Sequence, residues 1–148
     1  MIAIYSVLLL TSCSRHQNQE VATYDQPKEN FSLTILRELI EPDSKQYKRT
    51  LVLRVNQKEV LRHNLKPDTG GCSRANLLLA SFTVLLLEDA YEIYEIDIEK
   101  KSISTDLSKS NKQEEVHFLG SFDIDEKNAW RFIPNVERQY LFPNGKCK

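Results

Sequence analysis

The chain has 148 residues and a formal net charge of −1, because 21 acidic residues nearly balance 20 basic ones. This balance excludes the basic excess typical of nucleic-acid-binding proteins, and the length suits a single folded domain. The three cysteines show no Cys-x-x-Cys or comparable ligand spacing, so they do not indicate a metal site. We predict no cofactor and, from the charge balance, no nucleic-acid partner.

The N-terminal segment is short, apolar and uncharged. Residues 1–12 contain no Asp, Glu, Lys or Arg, and the apolar block from Ile2 to Leu10 spans nine residues. A membrane-spanning helix needs roughly 20 apolar residues, whereas a secretory signal uses a shorter block of this kind. Four interpretations of this segment are open: the signal peptide of a lipoprotein, an ordinary signal peptide, a buried first strand and the stub of a transmembrane anchor.

The tetrapeptide Leu10-Thr11-Ser12-Cys13 resembles the lipobox of bacterial lipoproteins. The resemblance implies cleavage before Cys13, a diacylglyceryl thioether on its sulfur and acylation of its new amino terminus. Residues 1–12 would then be a signal peptide, and the mature protein would be anchored in the cell envelope, facing the periplasm. By analogy with lipoprotein sorting, Ser14 favours the outer membrane over the inner one. Unlike most such signals, this one has no Lys or Arg ahead of its apolar block.

A polar run follows the lipobox. The run from Ser14 to Lys28 holds only two large apolar residues, Val21 and Tyr24, which are too few to repay the entropy of folding. We therefore predict a flexible tether over residues 13–29. The remaining residues, 30–148, are predicted to form a single domain.

Two cysteines, Cys72 and Cys147, remain in that domain. In an oxidising periplasm they are expected to form a disulfide, with two buried free thiols as the alternative. Closing a loop of about 75 residues would stabilise the domain by about 4 kcal/mol in the chain-entropy model.

Three segments predict much of the secondary structure. Arg49 to Asn56 alternates apolar and polar residues, which is the period of a half-buried strand. Phe31 to Ile40 fits a strand or a helix, and a strand is favoured because Ser32 and Thr34 are poor helix formers. Leu77 to Leu87 is eleven residues without a charge, which fits a buried helix, a central strand or a tight hairpin. Its β-rich neighbours favour a strand in the middle of the core.

Two later segments resemble each other and predict hairpins. Residues 96–101 and 122–127 each run apolar-Asp-Ile-acid into a polar turn, and alternating strands over 102–105 and 129–133 follow them. With these, eight or more short strands succeed one another through mostly local connections. The sequence therefore predicts a mainly β fold, either a small antiparallel β-sandwich or an open barrel.

One serine is a candidate nucleophile. Ser73 lies in a Gly-Cys-Ser-Arg-Ala stretch that resembles the nucleophile elbow of hydrolases, but Ala75 stands where that motif has its second glycine. His63, His117 and Asp68 could complete a triad. A turn with a bridged cysteine explains the same stretch, so the sequence predicts a protein that is not an enzyme.

Side chains that could bind a metal are scattered along the chain. The histidines and Cys72 belong to different segments, and no pair of them has the spacing of ligands on one element. Asp123, Asp125 and Asn128 resemble part of a calcium loop, yet Lys127 occupies the place of a further oxygen ligand. A solvated hairpin turn explains these residues, and no metal site is predicted.

An acidic row is the candidate partner-binding feature. On a strand, Glu95, Asp97 and Glu99 share one face, opposite Ile96 and Ile98, which would face the core. Like charges this close repel unless solvent or a basic partner screens them. The row is therefore either an exposed face that resists aggregation or a docking site for a protein partner.

The lipobox, the small size and the strand pattern together are similar to those of the lipoprotein immunity proteins that protect bacteria from toxins of type VI secretion. This similarity implies a lipid-anchored protein that binds another protein and occludes the active site of a toxin. An assembly or maintenance lipoprotein of the envelope is the alternative, and a hydrolase that depends on Ser73 is a second one.

Overall fold

The computed structural model describes residues 19–41, 43, 45–69, 73–106 and 116–140. Within these residues the chain forms strands, most of which are joined by short turns, with one 3₁₀ turn over Pro27–Glu29. The strands are β1 (Gln19–Gln26), β2 (Phe31–Glu41), β3 (Gln46–Val55), β4 (Lys58–Asn64), β5 (Ala75–Ser81), β6 (Val84–Glu88), β7 (Ile93–Asp97), β8 (Ser102–Ser104), β9 (His117–Ile124) and β10 (Trp130–Pro134).

The strands form two antiparallel sheets. The four-stranded sheet has the order β1-β2-β3-β4, and the six-stranded sheet has the order β10-β9-β5-β6-β7-β8. Most neighbours in space are neighbours in sequence, and the pairing of β5 with β9 is the long-range exception. The predicted mainly β, antiparallel sandwich is confirmed.

One apolar core lies between the sheets. Side chains at alternate positions of each strand point into it, and the innermost are inaccessible to solvent: Leu33, Ile35, Leu51 and Leu53 from the first sheet, and Leu77, Leu85, Leu87 and Ile96 from the second. Trp130 also links the sheets, because its indole Nε1 donates a hydrogen bond to the carbonyl of Ile35 at 3.3 Å. Each fully buried leucine or isoleucine contributes about 1.5–3 kcal/mol of transfer free energy.

The strand predictions for β2 and β3 are confirmed, and the segment from Leu77 to Leu87 is a tight hairpin. It contains most of β5 and β6, with a two-residue turn at Phe82 and Thr83. The prediction of a single central strand was therefore wrong in this respect, although its strand character and central place are confirmed. Both strands lie in the middle of the six-stranded sheet, and this explains the missing charges.

The predicted tether overlaps a strand. β1 pairs with β2 along its whole length, from Gln19 opposite Glu38 to Gln26 opposite Phe31. Residues 19–29 therefore belong to the folded domain, and the prediction that they are part of a flexible tether was wrong. An edge strand needs few apolar residues, because β2 supplies its hydrogen bonds and only Ala22 and Tyr24 need to face the core.

Several predictions fall outside the described residues. The lipobox and the three cysteines, Cys13, Cys72 and Cys147, are among these, so lipidation and the disulfide stay predictions. In the part of the chain that the structure describes, no helix has the length and apolar character needed to cross a bilayer.

The two similar segments form hairpins as predicted, but they stabilise their turns from different positions. In the β7–β8 turn, Asp97 accepts hydrogen bonds from the backbone N–H and the Nζ of Lys100, at 2.8 and 2.7 Å. In the β9–β10 turn, Asp125 accepts from the backbone N–H groups of Lys127 and Ala129 at 2.8 and 2.9 Å. The likeness in sequence therefore does not extend to the hydrogen bonds.

Candidate functional site

Four turns meet at one end of the sandwich, which we call the turn end: residues 27–30, 56–57, 82–83 and 98–101. Backbone hydrogen bonds join them in pairs. Asn56 N–H donates to the carbonyl of Asn30, and Ile98 N–H donates to the carbonyl of Thr83, both at 2.8 Å. Asn56 and Gln57 both have positive φ, as in the type I′ turns that suit tight hairpins. The turn end is therefore a connected surface of short, ordered loops.

Phe82 is the most prominent side chain of the turn end. It is 93% exposed at the tip of the β5–β6 hairpin, whose strands lie at the centre of the six-stranded sheet. The pair formed by Ser81 and Val84 closes the turn, and the bond from Ile98 to Thr83 braces it from the side. A large apolar side chain is thus held in solvent on a rigid support.

Two open cavities lie at the turn end and share Phe31. The one beside Phe82 has a volume of about 280 Å³ and an apolar part formed by Phe31, Val55 and Ile98. Three charged residues, Glu29, Glu99 and Lys101, also line it. The second cavity, of about 420 Å³, is more polar and is lined by Asp25, Pro27, Asn30, Phe31, Ser32, Asn56 and Gln57.

The predicted acidic row is only partly present. Glu95 and Asp97 lie on β7, whereas Glu99 lies in the turn that follows and lines the cavity beside Phe82. Burial raises the pKa of Asp97, but the hydrogen bonds from the side chain and backbone of Lys100 outweigh burial, and the net pKa lies below its usual value. Asp97 is thus neutralised within the hairpin, and Glu99 is the member of the row that faces the turn end.

The opposite end of the sandwich, which we call the charged end, contains buried ion pairs. Arg37 and Arg49 are direct cross-strand partners on β2 and β3. Both occupy inward-facing positions, because they continue the alternation of Leu33 and Ile35 on β2 and of Leu51 on β3. Two positive charges that are buried on paired residues repel each other, so nearby carboxylates are needed to balance them.

Arg49 is fully buried and binds the loop between β6 and β7. Its Nη2 donates to Asp89 Oδ2 at 2.7 Å, and its Nε and Nη2 donate to the carbonyl of Lys66 at 3.0 and 2.7 Å. Asp89 in turn accepts from the backbone N–H groups of Tyr91 and Glu92, both at 2.8 Å. This network connects the first sheet to the second.

Arg37 makes a second link between the sheets. Its guanidinium lies 3.5 Å from the ring centroid of Tyr47 and 5.1 Å from that of Trp130. Carboxylate oxygens of Glu20 and Asp68 are each 3.4 Å from it. Sequence reasoning missed both arginines, and an arginine at an inward position of an alternating strand is the signal that could have found them.

The candidate triad is not assembled among the described residues. Ser73 Oγ accepts a hydrogen bond from Arg37 Nη2 at 2.9 Å, and Arg37 also places Asp68 near this serine. His63 packs its ring 6.1 Å from that of Tyr94, and His117 begins β9 as an exposed residue. Within the described ranges, the hydrogen-bond partner of the Ser73 hydroxyl is therefore a buried arginine and neither histidine.

Arginines bind the aspartates of the partial calcium motif. Asp123 pairs with Arg74 at 2.8 Å and with Arg138, while Asp125 pairs with Arg131 at 2.9 Å. The backbone N–H of Ala129, the nearby Arg131 and the N–H of Lys127 lower the pKa of Asp125 below its ordinary value. In the ranges that the structure describes, no group of three or more His, Cys, Asp or Glu side chains could hold a metal ion.

Comparison with known proteins adds no relative: no family model, no curated protein and no solved structure matches the chain.

Proposed function

We propose that this protein is a lipid-anchored protein of the bacterial envelope that acts by binding a protein partner. The observation that carries the proposal is Phe82, which is 93% exposed on the rigid hairpin at the centre of the larger sheet. Exposed aromatic side chains on ordered supports are the usual anchors of protein interfaces, because little entropy is lost when they are buried.

The lipobox supports the membrane part of the proposal. The lipid would be attached at Cys13, six residues before the start of β1 at Gln19. β1 begins at the charged end, because Glu20, its second residue, lies 3.4 Å from Arg37. An anchor at that end leaves the turn end directed away from the membrane and free to meet a partner.

Two kinds of partner fit this arrangement. In an immunity protein the partner is a toxin, and a rigid turn end would block its active site. In an assembly or maintenance lipoprotein the partner is a resident complex of the envelope. The first is favoured because a compact, anchored domain with a protruding aromatic residue suits occlusion, which needs no chemistry from the inhibitor.

The anchor is tested by replacing its attachment site. Wild-type protein in its natural host should incorporate labelled fatty acid and fractionate with membranes, whereas Cys13→Ser should do neither. Ser14→Ala leaves the cysteine in place and serves as the control for lipidation. Unlabelled, soluble wild-type protein would contradict the anchor.

Binding is tested by deleting the gene and competing the mutant with toxin-producing sibling strains. We expect a loss of survival that wild-type protein restores. A resident complex recovered from cross-linked membranes, together with unchanged survival beside every toxin producer, would replace the immunity role by the assembly role. If no protein cross-links to any exposed position of the domain, the proposed function is wrong.

A further inference from the structure

We propose that the outer face of the six-stranded sheet has a groove that binds a segment with an arginine and a tyrosine two residues apart. The chain's own Arg138 and Tyr140 occupy this groove, and a segment of a partner protein with the same two side chains would displace them. Residues 135–140, which follow β10, are therefore a strap over a binding site. This inference goes beyond the proposed function and depends neither on the lipid anchor nor on Phe82.

The floor of the groove is a polar row that crosses three neighbouring strands. Asn76 on β5 is paired with Ser121 on β9 and with Glu88 on β6, so the three side chains lie side by side on one face of the sheet. This is the outer face, because Leu77, the next residue, points into the core. Asn76 and Ser121 are nevertheless inaccessible to solvent, although an outer face normally meets water.

Tyr140 lies over this row. Its hydroxyl donates to Glu88 Oε2 and is also hydrogen-bonded to the side chain of Asn76, while Ser121 Oγ donates to Asn76 Oδ1 at 2.9 Å. The tyrosine ring packs edge-on against Phe118, with centroids 5.2 Å apart. Burial and the bond to Glu88 raise the pKa of Tyr140, so its hydroxyl stays a donor. A carboxylate, an amide and an aromatic ring placed in this way recognise a phenol, because a phenylalanine offers Glu88 no donor.

The second contact of the strap is ionic. The guanidinium of Arg138 binds the carboxylate of Asp123 on β9, and both side chains are partly buried. Glu137 binds Arg131 on β10 at 2.8 Å, but these side chains are 48% and 41% exposed, so their pair contributes little. Arg138 and Tyr140 therefore supply most of the specific recognition, and they define the chemistry of the segment that the groove binds.

The strap has the properties of an element that can be displaced. Its one large aliphatic side chain, Val136, is 88% exposed and contributes little to the core. A cavity of about 580 Å³ runs along its side, between Glu137 and Arg138 of the strap and residues 125–127 of the β9–β10 turn, so a second segment can approach there. Its side-chain bonds to the sheet are polar, and water can replace them. Opening the strap should therefore cost much less than unfolding the domain.

A segment of another protein suits the groove better than the strap of a second copy. The strap turns back onto its own sheet through backbone bonds, from Glu137 N–H to the carbonyl of Pro134 at 2.9 Å and from Arg138 N–H to that of Asn135 at 3.3 Å. An exchange of straps between two copies would break these bonds in both chains. A free segment with the same two side chains can enter one groove while the second chain loses nothing.

The test adds a fluorescent, amidated peptide with the sequence of residues 135–140 to the full chain, either as the wild type or with Arg138→Ser and Tyr140→Ser together. The peptide should bind the double variant at least about tenfold more tightly than the wild type, because the wild-type strap competes with it. Circular dichroism verifies that the variant is folded. A folded variant that does not bind the peptide, or equal binding by the two proteins, would overturn the inference.

Matched changes in the peptide and in the groove test the recognition of the phenol. In the peptide, Tyr140→Phe should weaken binding to the double variant about tenfold, whereas Val136→Ala should leave it unchanged. In the protein, Glu88→Gln should also weaken binding about tenfold, and Glu59→Gln, an exposed acid on the other sheet, should not. Equal effects of the test and control changes would overturn the proposal.

Hydrogen exchange tests the displacement in the unaltered protein. Excess peptide should accelerate exchange of the Arg138 backbone N–H at least about threefold, because it holds the strap open. The backbone N–H of Asn128, which donates to the carbonyl of Asp125 in the neighbouring turn, should keep its rate. An unchanged rate at Arg138 would overturn the inference, and so would a dimer of the wild type that Tyr140→Ser abolishes, since it would assign the groove to a second copy.

Discussion

The two ends of the sandwich treat their chemically active side chains in opposite ways. At the charged end, Arg37, Arg49, Asp68 and Asp89 are buried and bound to one another or to backbone groups. At the turn end, charged side chains of both signs and a phenylalanine lie in solvent, and backbone hydrogen bonds between turns supply the order. Buried charges hold the two sheets together, whereas the exposed ring adds nothing to the core.

This difference predicts that the stability of the domain and its proposed binding of a partner can be altered separately. Changes at the charged end should alter unfolding, because a buried ion that loses its partner keeps its desolvation cost. Changes to the exposed side chains of the turn end should leave folding intact and alter the proposed binding. The following predictions use this contrast, from the largest expected effect to the smallest.

Replacing Arg49 should have the largest effect. Arg49→Met leaves Asp89 buried without its guanidinium partner, and we expect a loss of about 3–5 kcal/mol in the free energy of unfolding. Urea denaturation at pH 7 measures it. Arg62→Met is the matched control, since Arg62 binds Glu59 at the same 2.7 Å but on the surface, and little change is expected. If both variants lose the same free energy of unfolding, burial of the ion pair at the charged end does not add to stability.

Two residues of one hairpin provide the next comparison. Leu85→Ala removes a fully buried side chain and should cost about 2–5 kcal/mol, whereas Phe82→Ala should change stability by less than about 0.5 kcal/mol. Thermal unfolding followed by circular dichroism distinguishes them. A large loss in Phe82→Ala would mean that the ring supports the fold, and its role as a binding anchor would lose its basis.

Alkaline pH should weaken the charged end through Tyr94. Burial raises the pKa of Tyr94 to about 12, and its hydroxyl accepts a hydrogen bond from the backbone N–H of Lys66 at 3.0 Å. A raised pKa in the folded state gives stability that is complete below the ordinary value of 10.0 and is lost as pH rises to about 12.

Urea midpoints between pH 9 and 12 should therefore fall less steeply in Tyr94→Phe than in the wild type. An unchanged slope in Tyr94→Phe would contradict the assignment.

Acid should weaken the turn end through Asp97, with the smallest effect. The pKa of Asp97 lies below 3.8, so its ionised form contributes stability above that value, and the contribution is lost as pH falls through the folded-state pKa. Asp97→Asn should be less stable than the wild type at pH 7 and should match it at strongly acidic pH. A difference between Asp97→Asn and the wild type that persists at strongly acidic pH would contradict this role for Asp97.

Sequence patterns predicted the fold well where a strand pairs with a strand that is close to it in the sequence. The alternation of Leu51 and Leu53 toward the core and the hairpins around 96–101 and 122–127 are confirmed, because pairing between neighbouring strands determines them. β1 was missed because an edge strand takes its hydrogen bonds from β2 and needs few apolar residues of its own. The composition of residues 14–28 shows that apolar residues are few, but it does not show that β2 lies beside them and pairs with them.

The candidate site was harder to predict from the sequence than the fold. The predicted acidic row is only partly present: its middle member, Asp97, is paired with Lys100, and only Glu99 lines a cavity of the turn end. Phe82 stood in an uncharged run where every apolar residue could be assigned to the core. Its exposure depends on where the turn falls, which a run of eleven uncharged residues does not indicate.

The sequence by itself determined the strand-rich class and a lipobox-like start, because alternation and short motifs are local properties. The tertiary structure alone decided which charges are buried and which aromatic residue remains outside. Arg37 and Arg49 become partners only through the register of β2 and β3, and they meet Asp68 and Asp89 only when the sheets pack. Phe82 and its cavity likewise come together only because four turns, distant in the chain, end at the same edge of the sandwich.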